Sequence, residues 1–62
     1  MPYVNIRVAG TLTKEQKAKI AKGVTEVICN EANKPPESVL VMIDELAPEN
    51  IAKKGELLDP PA

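Results

Sequence analysis

Sixty-two residues with a net charge of −1, one cysteine and no histidine leave few ways to stabilise this chain. A chain of about 60 residues buries only roughly 60% of its unfolded surface. With no disulfide and no zinc ligand set, the remaining means are an unusually good core or association with other copies. The hydrophobic fraction of 44% argues for a globular domain, and the single aromatic, Tyr3, makes its core aliphatic. Near-neutral charge without a basic stripe speaks against nucleic acid, and no apolar run nears the roughly 20 residues of a membrane span. The reading is one domain over residues 1–62, cytoplasmic, with Cys29 reduced and no signal peptide.

In the opening stretch Val4, Ile6 and Val8 alternate with Tyr3, Asn5 and Arg7, which predicts a strand over about residues 3–9 with one face in a core. Pro2 stands at its start, where the missing N–H removes nothing from a ladder. If Met1 is removed, the Pro2 nitrogen becomes a free secondary amine held beside apolar side chains. An α-amino group titrates at about 7.7–8.0. Desolvation or a nearby cation lowers that value and makes the neutral amine a usable base. The plainer reading stands beside this one: Met-Pro is an ordinary beginning, and a retained Met1 locks the nitrogen in a non-basic amide.

Gly10-Thr11-Leu12 forms a connector, and Thr13 followed by Gln16 is a capping-box signature. Ile20, Ala21, Val24, Val27, Ile28 and Ala32 then recur at helical spacing, with Lys14, Lys17, Lys19, Lys22 and Glu26 largely on the other face. The predicted helix spans 14–32 and stops before Pro35-Pro36. Gly23 costs such a helix about 1 kcal/mol relative to alanine, either as a close-packing site or as a tolerated defect. Cys29 reads as packing or partly exposed surface, since no histidine is present to act as its base.

The run Val39-Leu40-Val41-Met42-Ile43 predicts a strand over about 39–46, apolar on both faces as in a parallel sheet. Strand, helix, strand makes a right-handed βαβ unit. One helix covers one face only, so the second face, carrying Leu40 and Met42 or their neighbours, is expected to meet another subunit. The stretch from Ala47 to Leu58 reads as a turn followed by a short hairpin arm, and Asp59-Pro60-Pro61-Ala62 as a loose end.

These features together resemble the 4-oxalocrotonate tautomerase family over nearly the whole chain. The resemblance is carried by Pro2 after Met1, Tyr3-Val4-Asn5-Ile6, and Gly10 with Leu-Thr-Lys-Glu-Gln-Lys at 12–17. Gly23-Val24-Thr25-Glu26-Val27, Val41-Met42-Ile43-Asp44-Glu45 and Gly55-Glu56-Leu57 add to it. It implies an α+β fold: a βαβ protomer with a parallel strand pair, one helix and a short C-terminal hairpin, pairing through the sheet into dimers and a homohexamer. It implies catalysis by Pro2 as amino-terminal general base on a small enol or dienol carboxylic acid, without metal or organic cofactor.

The departures are specific. Members acting on 2-hydroxymuconate-type diacids carry arginines at the positions of Leu12 and Leu40 and an aromatic at that of Ile51. Leu40 and Ile51 are thus the expected pocket-lining positions. Arg7 is the single arginine and matches neither place. A carboxylate needs a charge-assisted partner and the enolate a stabiliser, for which Arg7, Lys34, Lys53 and Lys54 are the candidates. Two functions follow: a tautomerase-type isomerase for a less polar enol acid, or a non-catalytic or heteromeric assembly subunit that kept the fold and lost the arginines.

Overall fold

The computed structural model describes residues 1–59. Strand β1 runs Tyr3–Ala9, helix α1 Lys14–Ala32 and strand β2 Leu40–Leu46, followed by the short strands β3, Ala52–Lys53, and β4, Glu56–Leu57. Single 3-10 turns at Pro36–Ser38 and Pro48–Asn50 lead into β2 and out of it. The two expected strands and the helix lie where the sequence pattern puts them, and β2 begins one residue later than expected. Pro60, Pro61 and Ala62, from the end expected to be loose, lie outside the described residues.

Helix α1 starts where its capping chemistry places it. The Gln16 N–H donates to Thr13 Oγ1 at 3.1 Å, and the Thr13 N–H donates to Gln16 Oε1 at 2.9 Å. Both halves of the capping box are present, so two of the four orphan amide groups of the first turn region gain side-chain partners. At the other end Asn33 adopts the left-handed conformation, φ 55°, and the X-Pro restriction at Lys34 and Pro35 keeps the chain extended beyond it.

The two long strands pair in parallel with Tyr3 opposite Leu40, Ile6 opposite Ile43 and Ala9 opposite Leu46. That register resolves the apolar run of β2. Val41 and Ile43 join Val4, Ile6 and Val8 on the face beneath α1, and all five are half-buried. Leu40 and Met42 fall on the opposite face beside Tyr3, and these three are 48%, 39% and 68% exposed. No described residue is fully buried. The protomer is thus a sheet with one covered and one open face.

One detail differs from the sequence reading, and one of its open alternatives is removed. Lys17 does not face solvent with the other helix lysines but reaches the sheet, as described below. Gly23 is not a close-packing site within the protomer, because a side chain there would meet nothing within 4 Å. It lies in an open apolar groove of α1 with Ile20, Val24, Val27 and Ile28.

The hairpin expected after β2 is formed by β3 and β4, antiparallel, with Ala52 opposite Leu57 and Lys53 opposite Glu56. Its turn needs left-handed backbone at two successive residues, Lys54 at φ 54° and Gly55 at φ 79°. Glycine meets the second requirement without steric cost.

Candidate active site

Pro2 lies at the point where β1 begins and β2 begins beside it. Its carbonyl accepts the Leu40 N–H at 2.9 Å, which fixes the first residue of β2 against the start of the chain. The preceding 3-10 turn aims β2 there. Both the Ser38 N–H and the Ser38 hydroxyl donate to the Pro35 carbonyl, at 3.0 and 2.8 Å. Pro2 is half-buried, whereas Met1 before it is exposed. With Met1 attached, the Pro2 nitrogen is an amide nitrogen.

Of the two expected pocket-lining positions, Leu40 is therefore Pro2's neighbour within one chain. Ile51 is not. It follows the Pro48–Asn50 turn beyond the far end of β2, half-buried, its carbonyl accepting the Leu58 N–H at 2.9 Å. Six residue steps separate Leu40 from Leu46, about 20 Å at strand rise. Leu12 also belongs to that far end, because it follows β1. Within one protomer, therefore, Leu12 and Ile51 do not share a pocket with Pro2.

The far end is tied down by Glu45, whose importance the sequence reading did not single out. Its Oε2 accepts the Leu12 N–H at 2.7 Å and its Oε1 pairs with Lys17 Nζ at 2.9 Å. The Gly10 N–H donates to the Leu46 carbonyl at 2.8 Å, giving the connector a second tether to β2. The Lys17 ammonium first, and the Leu12 amide second, hold the Glu45 carboxyl below its ordinary range. One signal for this contact was available: Glu45 is in phase with Val41 and Ile43, and so belongs to the helix-covered face. Arg7 is engaged elsewhere. It pairs with Asp44 at 3.4 Å across the open face, an exposed ion pair of small energetic weight.

A half-buried proline at a chain start, a parallel βαβ unit beneath one helix and a C-terminal hairpin together define a class of small α+β proteins. The chain belongs to the tautomerase family: the family model described as "Tautomerase enzyme" matches residues 2–59. The probable tautomerase K2 of Dickeya dadantii is 39% identical over 57 residues, covering 90% of this chain and 85% of its own. The crystal structure of DmpI from Helicobacter pylori is similar with a TM-score of 0.83 at 32% identity, over 92% of this chain and 90% of that one. A heterohexameric 4-oxalocrotonate tautomerase from Chloroflexus aurantiacus shares the fold with a TM-score of 0.88 at 21% identity, over the full length of both. The resemblance read from the sequence to the 4-oxalocrotonate tautomerase family holds.

Proposed function

We propose that this protein is a cofactor-independent keto–enol tautomerase in which Pro2, freed by removal of Met1, is the general base. The supporting observation is the seat of Pro2: its carbonyl is pinned by the Leu40 N–H, and its ring is half-buried. Partial desolvation disfavours the ammonium form, so a useful fraction of the amine is neutral at pH 7. The neutral nitrogen takes the proton of the enol hydroxyl, the C=C electrons capture a proton at carbon from the prolinium, and the amine is regenerated. Nothing is oxidised or reduced. Fixing the base against the substrate contributes about 10²–10⁴-fold. Leucines at 12 and 40 point to a less polar enol acid than a diacid, and each missing oxyanion donor costs about 10²–10³-fold.

The site is completed between copies, since Leu12 and Ile51 lie at the opposite end of the sheet from Pro2 and the open face carries Leu40 and Met42. A homohexamer is the assembly this reading favours. The apolar residues at 12 and 40 also support a second reading, a subunit of a heteromeric assembly such as the one the Chloroflexus aurantiacus protein forms.

Ketonisation of enol-phenylpyruvate by fully processed protein tests the proposal. Pro2→Ala keeps an amino terminus but loses the ring, and is expected to lower kcat/KM at least a hundredfold. An amine-selective alkylating agent should add one adduct at Pro2 and abolish turnover. Unchanged turnover in Pro2→Ala would make Pro2 a strand start and favour the assembly subunit.

A further inference from the structure

We propose that a second copy of this chain seats its own α1, antiparallel, in the apolar groove of α1, with Gly23 at the crossing point. The inference concerns association alone and holds whichever reaction the protein catalyses.

The groove is a second uncovered apolar surface, separate from the open face of the sheet. It is lined by Ile20, Gly23, Val24, Val27 and Ile28, and Val27 is 59% exposed. Ile20, Val24 and Val27 are spaced by four and three residues, the spacing of a seam along which one helix packs lengthwise on another. Gly23 lies within this seam, exposed, and weakens the helix interior it occupies. A Cβ at Gly23 meets nothing within 4 Å, so nothing inside the protomer requires the glycine. A helix crossing at that point uses the gap, because two backbones come together where no side chain separates them.

The symmetry of the seam names the occupant. Helix α1 has 19 residues, Lys14–Ala32, and Gly23 is the middle one. A two-fold axis at Gly23 sets Ile20 of each copy against Val27 of the other. The half of α1 before Gly23 carries Lys14, Lys17, Lys19 and Lys22 against Glu15, whereas the half after it carries Glu26 and Glu31. Antiparallel packing lays each basic half along an acidic half and opposes the two helix dipoles, and parallel packing joins like to like. Lys17 is already spent on Glu45. By helical phase Lys19 and Glu26 border the groove beside Gly23, and they meet across the axis twice. Lys19 Nζ lies 3.2 Å from Glu15 Oε1, an exposed pair that holds it weakly, and Glu26 forms no ion pair among the described residues. The seam is self-complementary, which favours a second copy over a different subunit.

Sedimentation of the purified chain and its charge variants at low salt tests this pairing. The parent chain is expected to associate at micromolar concentration. Lys19→Glu and Glu26→Lys each turn both cross-axis attractions into repulsions, and each should weaken self-association about tenfold. An equimolar mixture of the two variants restores opposite charges only between unlike chains. It should regain the parent's affinity as a mixed species. Gly23→Gln strengthens the helix by propensity and blocks the crossing, so helicity should rise while association weakens. A parent chain that sediments as a monomer would overturn the proposal. So would single variants that associate like the parent, a mixture no tighter than its components, or undiminished association in Gly23→Gln.

Discussion

The sheet face beneath α1 holds Val4, Ile6, Val8, Val41 and Ile43, all half-buried, whereas the opposite face leaves Tyr3, Leu40 and Met42 exposed. Both faces arise from the same alternation in the same two strands. The difference is what covers them. One face gets its partner from the helix between the strands, at the short range that chain connectivity guarantees. The other has no local partner, and Leu40, the residue that touches Pro2, lies on it. The covered face makes the protomer, and the open face has no partner among the described residues.

This division can be broken most sharply from the open side. Met42→Glu places a carboxylate among Tyr3, Leu40 and Asn5, where assembly would leave it unpaired and buried at a cost of several kcal/mol. Sedimentation at micromolar concentration should show loss of the larger species together with loss of tautomerase turnover. An unchanged mass would show that this face is not the contact between copies.

A smaller effect is expected from the covered side. Ile43→Ala removes methyl groups beneath α1 and should cost about 2 kcal/mol, the low end for such truncations because the site is only half-buried. Urea unfolding at fixed protein concentration measures it. The expected signature is a lowered midpoint with the assembly state of the folded protein unchanged.

Smallest is the effect at the rim of the covered face, where Glu45 tethers Leu12 and Lys17. Its carboxyl is held below its ordinary range, so the ionised form favours the folded state. This contribution is complete above the unfolded carboxyl's value of about 4.3 and is lost as pH falls through the lower folded value. Glu45→Gln keeps an acceptor for the Leu12 amide and discards the charge. Its urea midpoint should lie slightly below that of the parent protein at pH 7, and the two should converge in acid. A constant gap across pH would remove Glu45 ionisation from the account.

Much of this architecture was legible before any coordinates, because it is written in short-range patterns. The capping box at Thr13 and Gln16, the 3.6-residue recurrence from Ile20 to Ala32 and the prolines at 35 and 36 delimit α1 on their own. A helix of that length between two apolar strands leaves a parallel crossover as the natural connection. Register was not legible: five successive apolar residues at 39–43 carry no period. Only pairing with β1 shows that Val41 and Ile43 lie beneath the helix while Leu40 and Met42 do not. The candidate site was legible only as an expectation. The role expected of Pro2 came from the resemblance, since Met-Pro alone reads as an ordinary strand start. Its contact with Leu40, and the separation of both from Leu12 and Ile51, are properties of strand direction and length. Lys17 was misplaced because helical phase describes an average face, whereas a lysine's long side chain can turn toward a carboxylate that packing brings within reach.

In the two-stranded sheet formed by the described residues, each long strand has only one neighbour. The bonds from the Leu40 N–H to the Pro2 carbonyl and from the Gly10 N–H to the Leu46 carbonyl set the phase of the ladder. By its alternation, the amides of Tyr3, Asn5 and Arg7 point away from β2, and those of Val41, Ile43 and Glu45 point away from β1. Deuterium uptake at these six positions is therefore a residue-by-residue report on the neighbouring copies. Slow exchange on the first three would locate another chain's strand along β1, slow exchange on the last three would locate one along β2, and the unequal pair of rates would give the order in which the assembly comes apart.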